Sequence, residues 1–497
     1  MYFAEHSSGA MALLPAVIEG VSTLARDECP KSSETCLPHS LSRRRLIGGR
    51  MKAIRRKHAL DRRSFAILAA SAVPAYKLSA LDKLITTRDQ VEVSYVCPPC
   101  GLNCDKLTFD KPGTCPVCGM TLIERARTEG ERLTVEGLMQ SYKVPGLSIA
   151  IIDNFKLADT RVYGVTEAGG ATPVTPNTLF QAGSVSKPVA AVGALRLVQE
   201  GKLRLDEDVN RKLKSWKVPE NEFTKEQKVT LRRILSHSAG LTVHFFPGYA
   251  VGEPLPTLPQ ILNGEKPANT APVRVDFVPG TRWRYSGGAT IIEQQLMIDV
   301  SGEPFPRLMS ELMFKRLGMN DSTYEQPLPP ARTAAAASGT FANGKTVGGK
   351  WHVYPEMAAG GLWTTPTDLA KLAIEIALSK RGQSNRVLSE AMAREMLKVQ
   401  MPRVEEISLG DEQHRDRMGL GFFLGDETRP NLFGHIGTDQ GFQAMLMMFA
   451  DTGEGAAIMS NSDYGINLGD FVLDQIAKER GWKEYVSSGR PHPRPPA

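Results

Sequence analysis

The chain has 497 residues, 41% of them hydrophobic, with 60 Lys+Arg against 54 Asp+Glu for a formal net charge of +6, and seven cysteines. That length and apolar share allow two or three domains and exclude a disordered chain, a collagen-like repeat and a small disulfide scaffold. A basic surplus would suit nucleic acid or an anionic membrane, but residues 1–80 hold 13 Lys+Arg and six Asp+Glu, a net +7, leaving 47 against 48 beyond them. The body is neutral, so the charge is a targeting feature and no nucleic-acid partner is expected.

Residues 1–50 read as an extension of doubtful function, and no role is assigned to Cys29 or Cys36 within it. From Met51 a basic run, Arg55-Arg56-Lys57 to Arg62-Arg63, leads into the uncharged stretch Phe65–Ala75, the order of a signal peptide over 51–80. The alternative is a short buried helix or a basic surface arm. Arg62-Arg63-Ser64-Phe65 resembles a twin-arginine export signal, which implies the twin-arginine export machinery as partner and a periplasmic or secreted location. The uncharged stretch is too short to span a hydrocarbon core of ~30 Å, and no other run is long enough, so no integral membrane segment is expected after signal removal.

Residues 91–125 carry Cys97-Pro98-Pro99-Cys100-Gly101 and Cys115-Pro116-Val117-Cys118-Gly119, with Cys104 between them. Each two-residue spacer lets one tight turn present two sulfurs to a tetrahedral ion at ~2.3 Å. The expectation is a small zinc ribbon with Cys97, Cys100, Cys115 and Cys118 holding a structural zinc. Disulfides are the competing reading, since a signal peptide implies an oxidising compartment. The odd cysteine count and export in the folded state favour the metal.

Residues 127–487 form the main domain. Leu147–Asp153 and Leu157–Val165, joined by Asn154-Phe155-Lys156, read as a hairpin, and Phe442–Phe449 with Ala456–Ser460 as another. Helical spacing runs through 189–200, 231–235, 291–300 and 369–379. Strands at both ends with helices between predict an α+β fold whose terminal strands share one antiparallel sheet.

Ser184-Val185-Ser186-Lys187 is the only S-x-x-K in the chain, and its spacing puts Ser184 and Lys187 on one face of a helical turn. A serine hydroxyl becomes a nucleophile when a nearby base takes its proton, and a desolvated lysine serves as that base. Free N–H groups at a helix start can stabilise an oxyanion. Read structurally, Ser184 would be a plain N-cap. No serine sits in G-x-S-x-G and no histidine pair in H-E-x-x-H, which sets aside an α/β-hydrolase triad and a metal hydrolase. His237, His244 and His352 are read as structural or pocket-lining.

After Ser184 come Leu231 to Leu241 (with Ser236-His237-Ser238-Ala239-Gly240), Phe277 to Gly288 (with Tyr285-Ser286-Gly287) and Gly434-His435-Ile436-Gly437-Thr438-Asp439-Gln440-Gly441-Phe442. Together with Val144-Pro145-Gly146-Leu147-Ser148 and Gly360-Gly361-Leu362-Trp363-Thr364-Thr365-Pro366, these resemble the serine β-lactamase superfamily, specifically its class-C-like branch of esterases, D-amino-acid peptidases and carboxypeptidases. The resemblance implies a β-lactamase/transpeptidase-like fold and these roles: Ser184 as nucleophile, Lys187 as the lysine that helps deprotonate it, and Tyr285 as general base and proton relay. It also implies His435-Ile436-Gly437 in place of the third motif, K-T-G, with Gly437 admitting substrate beside the strand and the backbone N–H groups of Ser184 and Thr438 as oxyanion hole. A neighbouring cation would have to lower the tyrosine from its usual ~10.

Two departures stand out. Gly287 replaces the asparagine that contacts amide side chains in the family, and His435 replaces the lysine that would grip a substrate carboxylate. Both point away from β-lactam hydrolysis. The expectation is a secreted or periplasmic serine hydrolase forming an acyl-enzyme, an esterase or amidase on a small-molecule ester, amide or D-amino-acid peptide, with no cofactor for catalysis. D,D-peptidase, β-lactamase and a non-catalytic binding protein are the alternatives. Residues 488–497, rich in proline, read as a disordered tail.

Overall fold

Leu147, Ile149 and Ile151 alternate with Ser148, Ala150 and Ile152 along strand β1 (Gly146–Asp153), and alternate side chains of a strand face opposite sides. Both sides are buried. Leu147, Ile149 and Ile151 pack with Leu468, Val472 and Ile476, whereas Ala150 and Ile152 belong to a second cluster with Val189, Leu369 and Ile376. A strand apolar on both faces has to lie inside a layered fold, with helices on either side.

The computed structural model describes residues 95–96, 107–114, 116, 122–124, 134–400, 417–426 and 429–485. All of them fall in the second of the chain's two units, Thr87–Ala497. The expected signal at 51–80, the tail 488–497 and the cysteines Cys97, Cys100, Cys104, Cys115 and Cys118 lie outside the described residues.

The main sheet is antiparallel and also contains β2 (Lys156–Gly164), β3 (Arg417–Met418), β4 (Phe423–Leu424), β5 (Leu432–Asp439), β6 (Phe442–Phe449) and β7 (Gly455–Ser460), in the order β3-β4-β5-β6-β7-β1-β2. The two predicted hairpins are β1–β2 and β6–β7. They meet where Ile149 pairs with Ile458, so the first and last strands of the domain do share the sheet. Asn154 and Phe155 link β1 to β2 with φ of 48° and 59°, the left-handed pair whose twist matches an antiparallel hairpin. The Phe155 N–H donates to Gly453 O at 3.1 Å, fastening one hairpin tip to the other.

Helices α1 (Val135–Ser141) and α7 (Gly465–Arg480) cover one face of the sheet, and α6 (Pro366–Lys380) covers the other, beside α2 (Ser186–Gln199). Beyond α2 pack α3 (Leu231–Leu235), α4 (Gly287–Ser301) and the short α5 (Met357–Gly360). The four predicted helices fall in α2, α3, α4 and α6. Polar caps fix three of the starts: Thr230, Ser286 and Thr365 accept the N–H of Arg233, Ala289 and Asp368. Helix α2 is buried nearly all round, as a helix must be that runs through the middle of a domain.

Ahead of this domain Tyr95–Val96 pairs antiparallel with Thr108–Phe109 on one side and Ile123–Glu124 on the other. Among the described residues no helix is long and apolar enough to cross a membrane.

Candidate active site

Ser184 lies in a tight 3-10 turn, Gly183–Val185, directly before α2. Gly183 has φ +50° and lies so close to β5 that a Cβ there would stand 2.4 Å from Thr438 N, so the turn accepts only glycine. The turn is held from several sides. Ala182 N–H donates to Leu362 O at 2.9 Å, Leu362 N–H to Ser186 Oγ at 3.1 Å, and Tyr324 OH to Ser186 O at 2.6 Å.

Lys187, one helical turn on, is 5% exposed, and its Nζ donates to Ser184 Oγ at 2.9 Å and to Ala359 O at 2.8 Å. Burial pushes this amine down to about 7, against the opposing pull of Asp439 and Glu293. Burial likewise pushes both of those carboxyls well above the usual range. Near neutral pH the lysine therefore has a substantial neutral fraction, whose lone pair can take the serine proton.

Tyr285 immediately precedes Ser286, the N-cap of α4, and the Lys187 ammonium stands 5.0 Å from its ring centroid. Its surroundings are aromatic: His237 at 4.5 Å, His244 at 5.0 Å, His435 at 6.2 Å and a parallel Phe423 at 6.4 Å between ring centroids. His237 serves the backbone. It takes φ 55°, its O accepts from Arg284 N–H and its Nδ1 from Ser286 N–H, and burial pushes its pKa well down, so the neutral ring holds the Tyr285 segment. His352 Nδ1 bonds to Pro247 O at 2.9 Å, away from the serine. His435 is 1% exposed, and because its Nδ1 lies 2.5 Å from Ile436 O, which can only accept, Nδ1 carries the proton.

Strand β5 brings the third motif to the serine. A Cβ on Gly437 would stand 2.0 Å from Ala182 O and 2.8 Å from Ser184 N, so β5 and the serine turn touch backbone to backbone. The pairing of β4 with β5 stops at Gly434, ahead of this stretch. Gly437→Ala is expected to push the two apart and lower ester turnover about 100-fold, since a misplacement of ~1 Å costs that much. Steady-state kinetics beside circular dichroism check it, and near-wild-type turnover would contradict it.

Around these groups is a cleft of about 300 Å³ lined by Ser184, Lys187, Tyr285, His435, Gly437 and Thr438, and also by His244, Phe245, Phe246, Tyr354, Ala359, Gly360, Phe423, Ile436 and Asp439. Six of the seven expected hydrolase residues thus meet in one place. Gly287 does not: it is absent from the lining, and a Cβ there would stand 3.0 Å from both His244 O and the Phe246 ring. Phe246 occupies the direction a side chain at 287 would take, which corrects the expectation that Gly287 faces substrate.

Phe245, Phe246, Tyr354 and Phe423 lie outside the quoted motifs. Phe245 and Phe246 follow Val243, a β-branched residue held at φ 63°, whose O and that of His244 accept the first N–H groups of α4. Asp439 lay inside a quoted motif, and its burial was the signal that the sequence could not give. Among the described residues no group of three or more His, Cys, Asp or Glu could hold a metal ion.

The family described as Beta-lactamase matches residues 132–479, and the one described as Heavy metal binding domain matches 94–125. A beta-lactamase of Pseudomonas fluorescens is 30% identical over 239 residues, 48% of this chain and 61% of that one. Esterase EstB of Burkholderia gladioli is 27% identical over 176 residues, 34% of this chain and 44% of its own. Each match spans less than two thirds of that relative's length. Among solved structures, the octameric penicillin-binding protein homologue from Pyrococcus abyssi superposes with a TM-score of 0.56 at 23% identity, covering 71% of this chain and 78% of that one.

Proposed function

We propose, from the premise that this chain belongs to the beta-lactamase family of serine hydrolases, that it is an esterase or amidase of small substrates working through an acyl-enzyme on Ser184. The observation that carries this reading is the bond from the buried Lys187 amine to Ser184 Oγ at 2.9 Å. Ser184 Oγ forms a bond to the carbonyl carbon as its proton passes to the neutral Lys187 amine, with Tyr285 as relay. The tetrahedral oxyanion lies against the N–H groups of Ser184 and Thr438. The relayed proton goes to the departing alcohol or amine, and water then releases the acid and restores the serine.

Two features favour esters and simple amides over β-lactams and carboxylate-terminated peptides. His435 supplies no fixed cation of the kind that would grip a carboxylate, and Phe246 with Gly287 leaves no side-chain amide at the cleft. The test is a panel of a p-nitrophenyl ester, a D-amino-acid amide and a chromogenic cephalosporin, with labelling by a fluorophosphonate. Labelling of Ser184 and fastest turnover of the ester are expected. No labelling would sink the enzyme reading, and faster cephalosporin turnover would replace it with a β-lactamase.

The reading extends to a signal over 51–80, export through the twin-arginine machinery, and a metal held by Cys97, Cys100, Cys115 and Cys118. Four protein ligands leave no open position, so the metal would hold the 91–125 module together and take no part in hydrolysis. Elemental analysis of the mature protein is expected to find stoichiometric zinc. Absence of metal, with thiol counting that shows bridged cysteines, would overturn this part.

A further inference from the structure

The carbonyl that holds the Lys187 amine belongs to Ala359, in the four-residue turn α5. One turn of helix does not keep its own shape, because its first hydrogen bond has to fix several dihedrals at once. Glu356, which precedes the turn, makes no side-chain cap. The N–H of Ala358 is one of the donors that a helix start leaves unpaired, and it donates to Gln294 Oε1 at 2.9 Å. Gln294 Nε2 in turn donates to Pro355 O at 3.2 Å. A second glutamine, Gln326, grips the segment outside these bonds, accepting from Tyr354 N–H at 3.2 Å and donating to Gly361 O at 2.8 Å.

Gln294 is 1% exposed and belongs to α4, the helix that Tyr285 and Ser286 lead into. It does not line the cleft, so it acts on the reaction only through what it holds. A neutral lysine amine has two N–H groups and one lone pair, and rotation about Cε–Nζ decides which of the three faces Ser184 Oγ. With one N–H engaged by Ala359 O at 2.8 Å, the lone pair can point at the serine oxygen 2.9 Å away. A base acts only when its lone pair is so directed.

We propose that Gln294 is a positioning residue for hydrolysis: by bridging Pro355 O and Ala358 N–H it fixes Ala359 O, and through that carbonyl the direction of the Lys187 lone pair. This rests on the reading of Ser184 as nucleophile and Lys187 as its base. Gln294→Met keeps a side chain of similar length and removes both bonds without changing any charge. In the full-length chain, the rate constant for labelling of Ser184 by a fluorophosphonate is expected to fall about ten-fold per reactive site on the alkaline plateau, as for a small misplacement of the base. The pH midpoint of that rate, near 7 in the wild type, should move down by about half a unit, because a carbonyl that accepts from the ammonium favours the charged form and is now displaced. The other titratable groups around the amine are Glu293 from α4, Asp439 and His435 from β5, Tyr285, His237, His244, and Glu356 ahead of α5, and all are retained in the variant.

A glutamine that only supports the fold would lower the fraction of chains that label and leave the rate per reactive site and the midpoint as in the wild type. That result overturns the proposal, as does a midpoint that moves up. Should Gln294→Met fail to fold, Gln294→Asn takes its place: its amide, one methylene shorter, cannot span both partners, so the same falls in rate and midpoint are expected and the same contrary results overturn it. A wild type that labels at Ser184 with its midpoint near 7, matched by the variant, removes only this inference. No labelling of the wild type removes the hydrolase reading, and the positioning role with it.

Discussion

Ser184→Ala is expected to abolish ester hydrolysis, lowering kcat by about 10⁴-fold or more, because the bond that starts the reaction has no other atom to form on. Release of p-nitrophenol measures it. The fold should persist, since Ser184 Oγ has its hydrogen bond to Lys187 at the wall of an open cleft, whereas the turn itself is fixed by Ala182, Ser186 and Leu362. Unchanged turnover in the variant would remove Ser184 from the mechanism. Loss of turnover with a collapsed circular dichroism spectrum would indicate a structural serine instead.

Lys187→Ala is the second large effect, a loss of about 10²–10⁴-fold in kcat/KM, the range for a positioned base. The pH profile separates base from scaffold. Burial holds the lysine down at about 7, and the neutral amine is the form that accepts a proton. For a neutral ester kcat/KM should therefore rise as pH increases through about 7 and then level off, falling about ten-fold per unit well below it. Lys187→Arg keeps the charge but offers no titrating amine, so it should not restore the rate. A profile flat through this region would take the role of base away from Lys187.

Much of the fold was legible because its signals are local and periodic. Leu147–Ile152 and Phe442–Phe449 alternate faces, and α2, α3, α4 and α6 carry helical spacing with capping hydroxyls at three of the four. Ser184 and Lys187 were legible for the same reason, being one turn apart. The short strands Arg417–Met418 and Phe423–Leu424 were not, since two residues set no period. The walls of the cleft come from loops whose approach depends on packing elsewhere. Gly287 was misplaced because motif spacing is blind to Phe246, a residue 41 positions earlier that fills the space. Asp439 was quoted without a role because composition does not distinguish a solvated turn aspartate from a buried one.

The contact between Gly437 and the Ser184 turn joins residues some 250 positions apart. Pairings of such long range form late and slowly, since the chain between them must be ordered first. A nascent chain that has emerged through α6 carries Ser184 and Lys187 but lacks β5, the strand whose backbone touches their turn. Ser184 and Lys187 are thus synthesised well before the strand that completes the cleft around them.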